Sequence, residues 1–516
     1  MYREDMSFSI TIRRAIRRNL AWVALLMAWP VAVLANCERS DKDWGLVTFG
    51  LDLPSPGPVK GGALPTDIVQ RYAKGPVRLA PLLAAGDFSG AQAHWDQIAQ
   101  LAVREQQTRA MTRSLFSLDG RGLMLLDKAQ AWLTRHPQSP AAQLTLATAY
   151  VEAATEARGG NAIGFTRSIQ LDHMRARFQL ADPLIEALLP RKDIYGMGAR
   201  YLLATRGMLG GSSSAGWSAL MEVIAYAPHD ENLYQIAAGY AHPRWSSGTS
   251  PMRLRALLAL AHRHRLPEPH MTALKQAFDA IDRPPERIAN PQAVRPYWEA
   301  RVSAAPTLHN LVDWMEAEYR LTNWPLLLDI TQRIHVLYPQ HRRAWEVRSW
   351  ALKQMDRPHE AYQAAMAAAT VGSDWAMSEV IQSHVRGGMG RPLKDFAGLY
   401  AHCQMAGALA LPSGANCLGS SHTEGFGGAR IDHREALRWH LMAARGGHSN
   451  SAHDVAVLLP RIVKDAAQRA DVDAAAGYWL QAAARKGHQI ASNKLAARPG
   501  WGLSCDDRRK ANIAPP

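Results

Sequence analysis

The residues that could do chemistry come first, and they are few in kind. Twenty histidines invite a search for metal ligands. The densest group is His262, His264 and His270. Residues i and i+2 of a helix point apart, and Pro267 and Pro269 break the geometry before the third, so no metal site is expected. Glu299, Glu316 and Glu318 are the acids from which a carboxylate pair for glycoside chemistry could be drawn. Charged helix faces commonly carry that spacing, and solvation explains it. Arg244-Trp245 is the one polar–aromatic element of note, read as a tryptophan locking a loop with arginine stacked over it. No nucleophile elbow, phosphate-cradling loop or HExxH helix occurs. The glycine clusters GMLGGSSSAG and EGFGGAR follow no strand, so a dinucleotide fingerprint is unsupported. No catalytic, cofactor-binding or metal-binding residue is assigned, no cofactor is expected, and the chain is read as non-enzymatic. The alternative class is a cell-envelope enzyme, possibly glycan-acting, whose residues meet only in three dimensions.

The cysteines speak to compartment. Only Cys37, Cys403, Cys417 and Cys505 occur, with no metal-type spacing. Residues 1–35 read as a secretion signal. Arg13, Arg14, Arg17 and Arg18 precede an apolar run from Leu20 to Leu34, and Val33-Leu34-Ala35 offers a small-residue cleavage site. The run is short for a span and Pro30 interrupts it, which favours cleavage and leaves no stable membrane span. The expected address is the periplasm or secretion, the alternative being an uncleaved inner-membrane anchor. In that oxidising setting Cys403 and Cys417, flanking a Leu-Pro-Ser-Gly turn on facing helices, are expected to bond, while Cys37 and Cys505 either pair or stay free. The formal charge of +14 includes five arginines against Glu4 and Asp5 in the signal, leaving about +11. The basic residues are scattered. They give a solvated basic surface or attract anionic envelope polymer, and no nucleic-acid partner is expected.

The elements that would carry any function are helices. In Ala415 to Gly447 a short helix, a glycine-rich turn and a second helix closed by glycine can be read. Asp432 stands where a cap covers the free N–H groups of the first turn. Ala436, Trp439 and Ala443 fall at i, i+3 and i+7, a face on which small residues admit a neighbouring helix. Gly447 sits where a left-handed cap is wanted. Forward by 40 residues the pattern lands on Trp479, Ala483, Ala484 and Gly487. Back by 75 it lands on Ala361, Ala368, Ala369 and Gly372, and Phe396 to Ala410 is a degenerate copy. A period of roughly 35 to 40 residues belongs to helical-hairpin solenoids. Upstream, Phe88, Ala91, Trp95 and Ile98 form an amphipathic stripe, and prolines at Pro137, Pro228 and Pro339 close one helix just before the next.

The set Trp439, Ala443-Ala444 and Gly447, with Gly425 to Gly428 before Asp432, resembles the Sel-one-like repeat, a relative of the tetratricopeptide repeat. The resemblance covers about the last third of the chain and implies an α/α superhelix that scaffolds protein complexes, without chemistry. Trp132, His136-Pro137, Ser139, Arg158-Gly159 and then Pro243-Arg244-Trp245 follow an order that resembles domain-of-unknown-function family 4034, with Ser246-Ser247 where that family has two glycines. This implies an all-α, repeat-like fold and no activity.

The expected fold is therefore an all-α solenoid of tetratricopeptide-like and Sel-one-like hairpins. The expected organisation is a signal at 1–35, a linker at 36–70 and a family-4034-like helical domain at 71–283. A proline-rich boundary with tetratricopeptide-like helices at 284–354, Sel-one-like repeats at 355–500 and a tail at 501–516 complete it. The expected partner is a protein or peptide. Trp298, Trp314, Trp324, Trp345 and Trp350 are expected in the core.

Overall fold

A computed structural model describes residues 42–55, 79–105, 108–116, 118–159, 166–210, 213–242, 250–282, 291–390 and 396–497. The secretion signal, Cys37, Cys505, Arg244-Trp245, Pro284 and Pro285 lie outside the described residues. The described chain is all-α, with no β-strand beyond one isolated bridge residue. Its first helices are α1 (Leu79–Ala85), α2 (Phe88–Glu105), α3 (Arg109–Phe116), α4 (Gly122–Arg135), α5 (Pro140–Arg158) and α6 (Ser168–Leu188). There follow α7 (Ile194–Leu209), α8 (Ser213–Tyr226), α9 (Glu231–Ala241), α10 (Ser250–Arg263), α11 (Glu268–Asp282) and α12 (Pro291–Ala304). The next are α13 (Leu308–Arg320), α14 (Trp324–Leu337), α15 (Arg342–Gln354), α16 (Pro358–Thr370), α17 (Asp374–Arg386) and α18 (Phe396–Ala408). The last are α19 (Pro412–Glu424), α20 (His433–Arg445), α21 (Ser449–Ile462), α22 (Arg469–Arg485) and α23 (Gln489–Ala496). They fall into two compact units. Residues 50–448 form one, and residues 42–49 with 449–497 form the other.

One turn geometry recurs through the chain. A residue in the left-handed region ends a helix, and the amide after it reaches back five residues, satisfying a carbonyl of the last turn. The left-handed positions are Gly86, Arg265, Thr322, Asp356, Gly372, Ala410, Gly447 and Gly487. The matching bonds run from Asp87 to Leu82 (2.9 Å), Leu266 to Ala261 (3.1 Å), Asn323 to Glu318 (3.4 Å) and Arg357 to Leu352 (3.0 Å). The others join Ser373 to Ala368 (2.9 Å), Leu411 to Ala406 (2.9 Å), His448 to Ala443 (3.0 Å) and His488 to Ala483 (3.2 Å). The accepting residue is buried in seven of the eight turns, Leu82 being half-buried. Five of these are alanines, small enough for the neighbouring helix to close over the turn.

Within the larger unit consecutive helices pack as hairpins, and α13 also packs on α15 and α17 on α19. Helices two apart in sequence therefore lie side by side in one layer, as hairpin stacking requires. A second set of contacts ties this array to the start of the unit. Arg113 lies 4.1 Å over the Tyr338 ring, Asp119 pairs with Arg342 at 3.2 Å, and Arg121 donates to the carbonyl of Gly372. Met124 shares an apolar cluster with Cys403, Cys417 and Trp439, and Asp127 pairs with Arg445 at 2.7 Å. In chain order, residues 113–127 meet successive turns and helices from 338 to 445, so this segment braces several hairpins at once. It is a feature that local periodicity does not report.

Candidate interaction surface

The layer containing α13, α15 and α17 presents a partly exposed array of aromatic and charged side chains. On α15, Arg342, Glu346, Trp350 and Lys353 recur at i, i+4, i+8 and i+11, which places them on one face. On α17, Trp375 and Glu379 are i and i+4. Trp350 and Trp375 meet with ring centroids 6.0 Å apart, and Lys353 stands 5.4 Å from the Trp350 ring while pairing with Glu379 at 2.7 Å. Trp375 is 38% exposed, unusual for so large an apolar group in an otherwise well-packed array. Arg343 clamps Glu316 of α13 through two nitrogens, at 2.7 and 3.3 Å, and reaches Glu346 at 3.4 Å. The Glu316 carboxylate holds the Arg343 guanidinium firmly charged, above the ordinary arginine range. Ser373, capping α17 through Ala376, donates to Glu346 at 2.6 Å, and Asp374 accepts from the Ser413 amide at the start of α19 at 2.7 Å. Each helix of the layer is thus tied to the next by a charged or capping contact, and the two tryptophans sit between those ties.

The residues singled out from the sequence occupy structural positions. Cys403 and Cys417 are joined by a disulfide between α18 and α19, with Cα atoms 5.5 Å apart, and both are buried. Asp432 caps α20, accepting from the amides of Arg434 and Glu435 at 3.0 Å each, and those N–H groups hold its carboxyl below the usual range. Glu435 pairs with Arg438 at 2.6 Å. Ala436, Trp439, Ala443 and Ala444 are buried along one helix, and Gly447 is left-handed at φ 81°. In the other unit Trp479 and Ala483 are buried and Gly487 has φ 83°. Trp298, Trp314 and Trp345 are buried, whereas Trp324, the first residue of α14 set edge-on to Tyr319, and Trp350, set against the exposed Trp375, are only half-buried.

Of the acids and histidines considered for chemistry, Glu316, Glu318 and His270 have charged partners. Glu318 is fully buried and receives Arg295 at 3.1 and 3.3 Å and the Trp314 indole at 3.4 Å. Glu316 belongs to Arg343, and Glu299 is exposed. His270 faces Glu231 at 3.8 Å, while His262 is exposed on α10. Among the described residues no three potential ligands converge as a metal site.

Sequence reasoning missed several polar groups that only packing brings together. His335 stacks on Trp345 at 3.8 Å, and burial drives its pKa down to about 3. His341, whose Nδ1 accepts from the Ala344 amide, is pushed down to about 4 for the same reason. His402 Nε2 meets the Tyr362 hydroxyl at 3.0 Å, and its ring lies 4.6 Å from that of His384. Burial, with Asp119 and Glu156 nearby, raises Glu152 to about 8. Their burial and ring contacts follow from how the helices pack, which residue spacing does not report.

No protein-family model matches the chain, so the resemblance to family 4034 finds no support. No curated protein matches it. Among solved structures it is similar to the crystal structure of c5321, described as a protective antigen of uropathogenic Escherichia coli strains displaying an SLR fold. Identity is 12%, the match covers 88% of this chain and 93% of that one, and the TM-score is 0.28. At that score the likeness carries no argument, and the helical-hairpin architecture rests on the recurrent turns and layer packing described above.

Proposed function

We propose that this chain is a non-catalytic helical-repeat scaffold of the bacterial cell envelope that holds a protein or peptide on the layer of α13, α15 and α17. The observation that carries the reading is the Trp350–Trp375 pair, partly open on a layer whose other side chains are fixed in place by ion pairs. Aromatic anchors on a rigid support bind with little entropic cost, and tryptophan and arginine dominate the energetics of protein interfaces. Export through residues 1–35 would bring this surface to the envelope. No helix among the described residues is long and apolar enough to cross a membrane.

The test is affinity capture from envelope extract with the full chain and with Trp375→Ala, a substitution that removes exposed aromatic area. The expected result is one partner retained by the parent and reduced at least tenfold by Trp375→Ala, with unchanged circular dichroism. Equal capture by both proteins, or none by either, would sink the proposal.

A further inference from the structure

From Pro251 to Leu266 the chain holds no acidic and no uncharged polar side chain, only apolar residues, arginine and histidine. Packing divides this stretch into two sides. Arg253, Leu254, Leu257 and Ala261 are buried, and α10 packs on α9 and α11. Met252, Arg255, Ala259, His262 and Arg263 are exposed, and at about 100° per residue they fall within an arc of about 100° of the helix. Pro251 and Ala256 are exposed on either side of them. Met252 is 67% exposed, and Arg265, in the turn that follows the helix, adds a third exposed guanidinium. Among the described residues no carboxylate pairs with Arg255, His262, Arg263 or Arg265, and Glu268, the first acid downstream, lies 3.7 Å from Lys275. A face of one sign repels itself and attracts an anionic surface. The apolar residues set among the cations select the kind of surface. Nucleic acid or an acidic protein face would hold Met252 against phosphate or carboxylate. A bilayer interface satisfies both, with lipid phosphates for the guanidinium groups and the acyl boundary for the thioether, arginine stems lying along the apolar part.

We propose that the exposed face of α10 docks the protein peripherally on an anionic lipid bilayer. Arg255, Arg263 and Arg265 take headgroup phosphates, and Met252 enters the boundary between headgroups and acyl chains. Arg255 and Arg263 stand about 12 Å apart along the axis, far enough to engage separate lipids. The buried side of α10 keeps the helix fixed to the protein, so it lies on the membrane and does not span it. The face shares no residue with the Trp350–Trp375 layer and does not depend on it.

Cosedimentation of the full chain with vesicles tests this, using phosphatidylcholine alone and phosphatidylcholine with phosphatidylglycerol, each at low and high salt. Binding is expected to the anionic vesicles and to fall with salt. Arg255→Gln and Arg263→Gln should each weaken it roughly fivefold, and the pair together about twentyfold, from the usual contribution of an arginine near an anionic surface. Both side chains are exposed and unpaired, so circular dichroism should not change. Because the apolar run Leu20 to Leu34 could itself hold vesicles, a local readout is needed. A polarity-sensitive dye on Met252→Cys, in a Cys37→Ser/Cys505→Ser background, should shift to the blue with anionic vesicles and not with neutral ones. A dye that stays unshifted on sedimented protein, or a double variant that binds as well as the parent, overturns the proposal. So does a chain that ignores anionic vesicles, including one that captures soluble polyphosphate through the same arginines.

Discussion

Thr322 should be a point of stored strain, and glycine should relieve it. The residue ends α13 at φ 57°, a conformation that costs a residue with a Cβ on the order of 1–2 kcal/mol and is least tolerated by β-branched side chains. Its side chain is exposed and makes no hydrogen bond, so Thr322→Gly removes strain without removing packing. Against this, glycine adds unfolded-state entropy of roughly 0.5–1 kcal/mol. The net expectation is stabilisation by about 0.5–1 kcal/mol. The reciprocal change is Gly487→Ala at φ 83°, where an added Cβ would meet nothing within 4 Å, so the loss of about 1 kcal/mol is purely conformational. In a chain of this length such changes move Tm by only about 1–2 °C, so the urea midpoint is the better measurement, read with its slope unchanged. A midpoint that falls for Thr322→Gly, or holds steady for Gly487→Ala, would refute the assignment of these residues to one shared turn.

Three further outcomes are expected. Reducing the Cys403–Cys417 bond, which closes a sequence separation of 14, should cost roughly 3 kcal/mol by loop entropy and lower the urea midpoint, with Cys403→Ser/Cys417→Ser matching the reduced parent. Asp127→Ala should destabilise by about 2–3 kcal/mol, because the Arg445 side chain is fully buried and would keep its charge without its carboxylate; Arg445→Met in the same background should recover part of the loss. His335 titrates near 3 in the folded chain and near 6.5 when unfolded, so the unfolded state binds more protons between those values. Its neutral, stacked form contributes stability present above pH 6.5 and lost as pH falls, by about 2–3 kcal/mol at pH 4.5. His335→Phe, which keeps the ring against Trp345, should flatten that part of the stability–pH curve, and an unchanged curve would show that the histidine is solvated.

Much of the architecture was legible locally because helix formation, capping and hairpin turns are decided by neighbours within one or two turns of chain. Ser139 before Pro140 marks the start of α5, where its hydroxyl accepts from Ala142 at 3.2 Å, and the Phe88–Ile98 stripe marks the buried face of α2. Trp439 and Trp479 fall eight residues before a left-handed glycine, and glycine is visible in a sequence because no other residue adopts that conformation cheaply. The same spacing places Trp314 before Thr322, yet threonine and aspartate hold the turn at Thr322 and Asp356, so those copies stay hidden, and the one ending at Ala410 reads only as degenerate. What only the tertiary structure decided are the meetings of segments distant in the chain, Asp127 with Arg445 and Arg121 with Gly372, and the side-chain packing between neighbouring hairpin helices, His335 under Trp345 and Trp350 against Trp375. Hairpin periodicity specifies which face of each helix is apolar, but the bracing of residues 113–127 and the depth at which Arg253 is buried follow from how the hairpins stack, a sum of many weak contacts that no local pattern encodes.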